Sequence, residues 1–384
     1  ALSSAASDVY KRQVLLTGYF IPVSVPVMDL SAASETADTT YYDMIHKDCQ
    51  KDEAADFRVK KYQLDFSVGL NLTGSAKVYV DRSELKSYRF TLYHGYKVKQ
   101  VTDQTGAALD FRREYDYVTV TRGGADVEYL CLEYTGKSPK YYSSYAGVCL
   151  PANFAYYPIP GYRELFKDSF YGFIDCSLPY DTAFDVRCSG RKQMYCNLAA
   201  RGNNHFAGNA RSITLLSGYY DTLKLNDTLV VYPKYADGEI RARIKKNMGT
   251  FTKEHRDIHT IFIMDADNLT PYEHLRSYDG YVVTNSMIDM EQSYFESQID
   301  ISKLHFYKMF VYYYNEKVDR EELEQLKQSE DPEEYPMVQI ILKLSASKNR
   351  EAAAAETEQY LTNSKDTRAP MTFLQELGEK YAKA

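Results

Sequence analysis

The sequence predicts an α+β multidomain chain: a large antiparallel β saddle, then a small α/β segment, then a helical C-terminal part. Three observations carry this. From Phe57 onward apolar and polar side chains alternate at a period of two, and glycines punctuate the runs. From Asp237 the spacing turns helical, first with Ile240, Ile244 and Met248. Between two β-rich halves lies Leu150–Gly161, L-P-A-N-F-A-Y-Y-P-I-P-G. Its three prolines and closing Gly oppose helix, while Leu150, Phe154, Tyr156, Tyr157 and Ile159 ask for burial. The stretch is expected to be a buried joint.

The bulk numbers bound the function. A chain of 384 residues has room for several domains. Net charge is −7 and the Lys and Arg are dispersed, which argues against a nucleic-acid partner. The 37 Tyr and absent Trp predict a core with many wet edges. The cysteines stand at 49, 131, 149, 176, 188 and 196, with no C-x-x-C pair. They read as buried free thiols, with a disulfide between neighbouring strands as the other reading.

The elements follow in order. Residues 1–13 are set aside, because Asp8–Gln13, D-V-Y-K-R-Q, reads as translation through a sequencing-library adaptor. Residues 14–28 carry no charge and are too few to span a bilayer. They read as the end of a truncated membrane helix or as an apolar leader. Residues 29–56 are polar and acidic, a tether. Residues 57–235 form the β saddle. Its strands are expected over 57–68, 70–81, 88–93, 96–103, 117–121 and 128–134, then 171–177, 183–189, 194–199, 212–218, 222–225 and 228–232. Arg201–Asn209, R-G-N-N-H-F-A-G-N, reads as a loop. Residues 236–384 hold a helix near 239–248, short strands at 259–265 and 281–284, and helices over 286–298, 301–317, 320–328, 337–345, 351–363 and 370–384.

This order of elements resembles the M1 family of zinc aminopeptidases. It is most similar to the M1-like extracytoplasmic domains fused to ABC-2 type transporter permeases. The residues that carry the resemblance are Lys60–Val80 for the opening strands and Phe90–Val101 for the next pair. Leu132–Gly136, L-E-Y-T-G, matches a strand end. Phe154–Gly161, F-A-Y-Y-P-I-P-G, matches an aromatic-Tyr-Pro joint in which Trp usually stands at the place of Tyr156. Ser212–Tyr220 and Val230–Pro233 match the late strand and the exit into the catalytic domain. The match spans about residues 57–310, and the order of the pieces supplies its specificity.

The resemblance implies a zinc held by H-E-x-x-H on a helix, with the Glu as general base and a carboxylate from a second helix as third ligand. No H-E-x-x-H occurs here. The helix in the motif's position, Ser286–Gln298, contains Glu291 but no His, and no G-x-M-E-N-like substrate motif is visible. The expectation is therefore a catalytically inactive M1-like domain with no cofactor. It would sit on the extracytoplasmic face of a membrane protein, partnered by ABC transporter ATPase or permease subunits, and would bind a peptide or another ligand. The candidate cleft residues are Tyr156, Tyr157, Glu291 and Tyr294. The alternative is a zinc hydrolase built on His255 and His259, whose i, i+4 spacing is marred by Arg256 in the base position. A third reading is a structural or adhesive β module. Asp265, Asp267, His274 and Asp279 read as loop groups around Pro271.

Overall fold

The alternating stretches form strands, and the buried set of each packs into a common core. The computed structural model of the chain describes residues 41–42, 44, 51–138, 143–144, 147–166, 173–190, 192–234, 238–264, 275–284, 290–315, 320–327 and 332–382. The adaptor-like start, the stub 14–28 and most of the expected tether lie outside these residues, as do Asp265, Asp267 and His274. The chain divides into two compact units, 1–291 and 292–384. The α/β segment thus groups with the β-rich part, not with the helices.

The first half supplies β1 (Val59–Val68), β2 (Leu72–Val80), β3 (Ser87–Thr91), β4 (Tyr96–Thr102), β5 (Phe111–Glu114), β6 (Tyr117–Thr121) and β7 (Tyr129–Gly136). Around the joint lie β8 (Ser143–Ser144), β9 (Gly147–Leu150) and β10 (Ile159–Pro160). The second half adds β11 (Thr182–Ser189), β12 (Met194–Cys196), β13 (Ala199–Gly202), β14 (His205–Ala210) and β15 (Leu215–Ser217).

A seven-stranded sheet runs β13-β14-β11-β1-β2-β7-β4. In β1, Tyr62, Leu64 and Phe66 are buried while Lys61, Gln63, Asp65 and Ser67 point outward. One pairing corrects the all-antiparallel expectation: β1 and β11 are parallel, Asp65 opposite Arg187. The long chain between them lets the second strand re-enter in the same direction. The expected loop Arg201–Asn209 is also corrected, because it is largely the β13–β14 hairpin. Its turn holds Asn204 at φ 51°, a conformation that Asn tolerates. Residues 173–177 are not a strand; the described part makes a single bridge, Phe173 to Phe166. Strands β5 and β9 were not expected at all.

The joint is buried throughout, with Phe154 and Tyr156 at 0% exposure. Its carbonyls are met from inside the protein. Tyr62 Oη donates to Pro158 O at 2.8 Å, Tyr134 Oη to Tyr156 O at 2.8 Å, and Thr91 Oγ1 to Gly161 O at 2.9 Å. Tyr156 Oη in turn donates to Ile213 O at 2.8 Å. The many tyrosines are thus not wet edges here. Their hydroxyls satisfy a non-helical segment whose own main chain cannot. Gly161 has φ 86°, and a Cβ there would meet Glu53 O at 2.6 Å. That close approach seats the end of the expected tether. Glu53 pairs with Tyr162, and Arg89 reaches Glu53 at 2.6 Å and Asp56 at 2.8 Å.

The five-stranded mixed sheet follows, built from β16 (Tyr220–Leu225), β17 (Thr228–Pro233), β18 (Thr260–Ile263), β19 (Leu275–Tyr278) and β20 (Tyr281–Thr284). The parallel pair β17–β18 is joined by helix α1 (Gly238–Glu254), a strand–helix–strand crossover that buries Ile244, Met248 and Phe251. The helices α2 (Met290–Ser297), α3 (Leu304–Asn315), α4 (Arg320–Leu326), α5 (Glu334–Ser345), α6 (Arg350–Thr362) and α7 (Pro370–Tyr381) complete the chain. In the second unit Tyr360 and Phe373 stack at 4.0 Å inside a separate core. The buried Lys303 Nζ donates to Tyr360 O and Asn363 O at 2.8 and 2.9 Å, capping the end of α6. Among the described residues no helix is long and apolar enough to cross a membrane.

Candidate functional site

The residues singled out in the sequence fall in different places. Tyr156 and Tyr157 are 0% and 1% exposed, so they present no surface to a ligand. Burial pushes the phenol pKa of both upward, and they stay neutral core groups. Tyr294 is half-buried and belongs to the second unit. His255 and Glu291 do come together, with Nε2 3.0 Å from Oε2 and the imidazole packed on Phe251. His259 does not join them. Helix α1 ends at Glu254, so the two histidines lack the shared helical face that i, i+4 ligation needs. The main chain of His259 is instead held at the entry to β18, its N–H donating to Gly280 O at 2.8 Å and its carbonyl accepting from Leu229 at 2.9 Å. Among the described residues no three His, Cys, Asp or Glu side chains are grouped so as to hold a metal. Among the described residues the donor set does not fit the zinc that the resemblance implies. A His–carboxylate pair alone can shuttle a proton, but it needs a nucleophile or bound water to do chemistry.

A second arrangement lies on the outer face of the seven-stranded sheet. A groove of about 440 Å³ crosses β11, β1, β2 and β7 and ends at β4. Register builds it. Asp65 stands opposite Arg187 on one side and Ser75 on the other, and Ser75 stands opposite Glu133. Beyond Glu133 the register of β4 shifts between Val98 and Gln100. The bulge turns two successive residues, Lys99 and Gln100, outward and brings Lys99 to the groove. The row therefore reads Arg187, Asp65, Ser75, Glu133, Lys99. Neighbouring strands are about 4.8 Å apart, so the Asp65 and Glu133 backbones are about 10 Å apart.

These groups differ in how far they are committed. Arg187 Nε lies 3.6 Å from Asp185 Oδ1, which also faces His205 Nε2 at 3.0 Å. The side chains of Asp65, Glu133 and Lys99 make no hydrogen bond or ion pair to another described residue. Ser75 Oγ meets Cys131 Sγ at 3.5 Å, and Ser189 Oγ donates to Phe66 O at 3.2 Å. Among the described lining residues no imidazole faces these hydroxyls. Sequence reasoning missed the groove because the row is assembled from five strands. Each strand shows only the polar half of its alternation, which looks the same for a binding face and a solvated one.

No known family profile matches the sequence, and no curated protein does. Among solved structures the chain is similar to native leukotriene A4 hydrolase from Saccharomyces cerevisiae, with 12% identity and a TM-score of 0.45 over 85% of this chain and 65% of that one. It is also similar to an M1 zinc metallopeptidase from Deinococcus radiodurans, with 12% identity and a TM-score of 0.41 over 80% of this chain and 75% of that one. The chain spans less than two thirds of the yeast enzyme's length. The solved structures to which this mixed α+β fold is similar thus include M1 zinc metallopeptidases.

Proposed function

We propose that the chain is a ligand-binding domain without M1 peptidase chemistry, and that the groove on the outer sheet face is its binding site. One observation carries the reading. Three charged side chains, Asp65, Glu133 and Lys99, stand in one groove uncommitted to any other described residue, and so are free to pair with a ligand. The absence of H-E-x-x-H from the sequence supports the non-peptidase half. We place the domain on the extracytoplasmic face of a membrane protein that works with ABC transporter subunits. That placement rests on the uncharged stretch 14–28 and on the sequence resemblance.

The His255–Glu291 pair favours a second reading, a hydrolase of unfamiliar design. One assay separates them. The purified chain, supplied with zinc, is expected to release no nitroaniline from L-leucyl- or L-alanyl-4-nitroanilide above the rate without protein. Chelator-sensitive turnover that His255→Ala abolishes would overturn the binding-domain reading.

A further inference from the structure

We infer that the ligand of the sheet-face groove is a neutral, hydroxyl-rich molecule, a short glycan rather than a peptide or an anion. The inference rests on the groove being the binding site. Three features of the row select this class.

The first is charge. The groove sets two carboxylates, Asp65 and Glu133, against two cations, Arg187 and Lys99. The two carboxylates flank Ser75 in the middle of the row and a cation closes each end, so the four charges sum to zero. Such a field has little net attraction for an anion or a cation. It does offer strong acceptors and strong donors within a few ångströms of each other. Vicinal hydroxyls, each both donor and acceptor, are the groups that can use both.

The second is the main chain. β1 and β2 are interior strands of the sheet, paired on both sides. Their N–H and C=O groups are spent in the ladder. An extended peptide gains most of its affinity by adding main-chain bonds at a sheet edge, and the groove meets an edge only at its β4 end. Over β11, β1, β2 and β7 recognition is by side chains alone.

The third is the floor. Ser67 and Ser75 stand on the outer face beside Asp65, and the larger apolar residues of the same strands, Phe66 and Ala76 among them, point to the core. Small hydroxyls between charged groups leave room for a polar ring and match its hydrogen bonding.

Titration calorimetry on the full chain tests this. The probes are maltohexaose, cellohexaose and chitohexaose as neutral glycans, hexaglutamate as anion and hexalysine as cation. Saturable heat with at least one neutral glycan is expected, weakened about tenfold or more in Asp65→Ala and in Glu133→Ala, since each removes charged hydrogen bonds. Both sites are exposed strand positions, and an unchanged melting temperature confirms that the variants fold. Lys234→Ala, away from the groove, is expected to bind as the parent does. Binding of hexaglutamate or hexalysine that the same variants abolish would overturn the glycan class while keeping the groove as the site. Glycan binding indifferent to both variants would overturn the inference. If no probe responds to the groove variants, both the inference and the groove reading fail.

Discussion

At the scale of single residues the most constrained point is Gly74, in the middle of β2. It pairs with Phe66 on one side and Tyr134 on the other. A Cβ at Gly74 would lie 2.4 Å from Tyr134 Cζ and 2.7 Å from its Oη. Tyr134 cannot step aside, because it is fully buried and its hydroxyl holds the carbonyl of Tyr156 in the joint. The missing side chain of one strand therefore makes room for the ring that satisfies another segment. Gly74→Ala is expected to destabilise the chain by about 1–3 kcal/mol, the scale of overpacking a filled core. Urea unfolding checks it. A change within about 0.5 kcal/mol, the scale of ordinary surface sites, would mean that Tyr134 has slack. The sequence showed the joint clearly through its prolines and aromatics. It did not show the hydroxyl partners, since Tyr62, Thr91, Tyr134 and Ile213 come from strands and loops far apart in the chain.

At the scale of elements, periodicity served where an element's two faces differ. β1, β2 and the helices after Gln292 lie close to their expected positions because one side of each is apolar. It failed at Ala199–Ala210, where small and polar residues give no alternation and the signal was only Gly and Asn. That hairpin is held by its turn instead. Asn204 Oδ1 accepts from Met194 N at 2.8 Å, its Nδ2 donates to Lys192 O at 3.2 Å, and its carbonyl accepts from Cys188 N at 2.9 Å. Two substitutions separate backbone from side chain. Asn204→Gly keeps the left-handed conformation and loses the amide bonds. Asn204→Ala loses both, and is expected to cost more than Asn204→Gly by about 1–2 kcal/mol. Equal losses in thermal or urea unfolding would mean that φ 51° is not held in solution. The groove belongs to this scale too. It exists only through the register of five strands and one bulge, and no local pattern encodes a register between strands more than a hundred residues apart.

At the scale of the whole molecule, the first unit is a store of buried acids that must remain protonated. Burial is the main cause in each case. It raises the phenols of Tyr62, Tyr96, Tyr134, Tyr156 and Tyr281, pushes Tyr117 up to about 12, and pushes the thiol of Cys196 up to about 12. An unfolded chain would ionise these groups near their ordinary values of about 8.5 for thiols and about 10 for phenols. Below those values both states hold the proton and stability does not depend on these groups. Above them the unfolded state sheds protons that the folded state retains. Each such group then withdraws about 1.4 kcal/mol per pH unit, until pH passes its folded value. The acids spread across one core, so their losses add within one cooperative unit. The urea midpoint is expected to be flat from pH 7 to about 8.5, then to fall steeply between about pH 9.5 and 11. The share of the absorbance near 295 nm that belongs to these buried phenols should rise with unfolding rather than before it, apart from whatever exposed tyrosines such as Tyr115 and Tyr312 contribute. A phenolate absorbance as large as that of the unfolded chain, in a chain still folded by circular dichroism, would mean that the tyrosines lining the joint reach solvent, and that the core around Leu150–Gly161 is looser than its hydrogen bonds require.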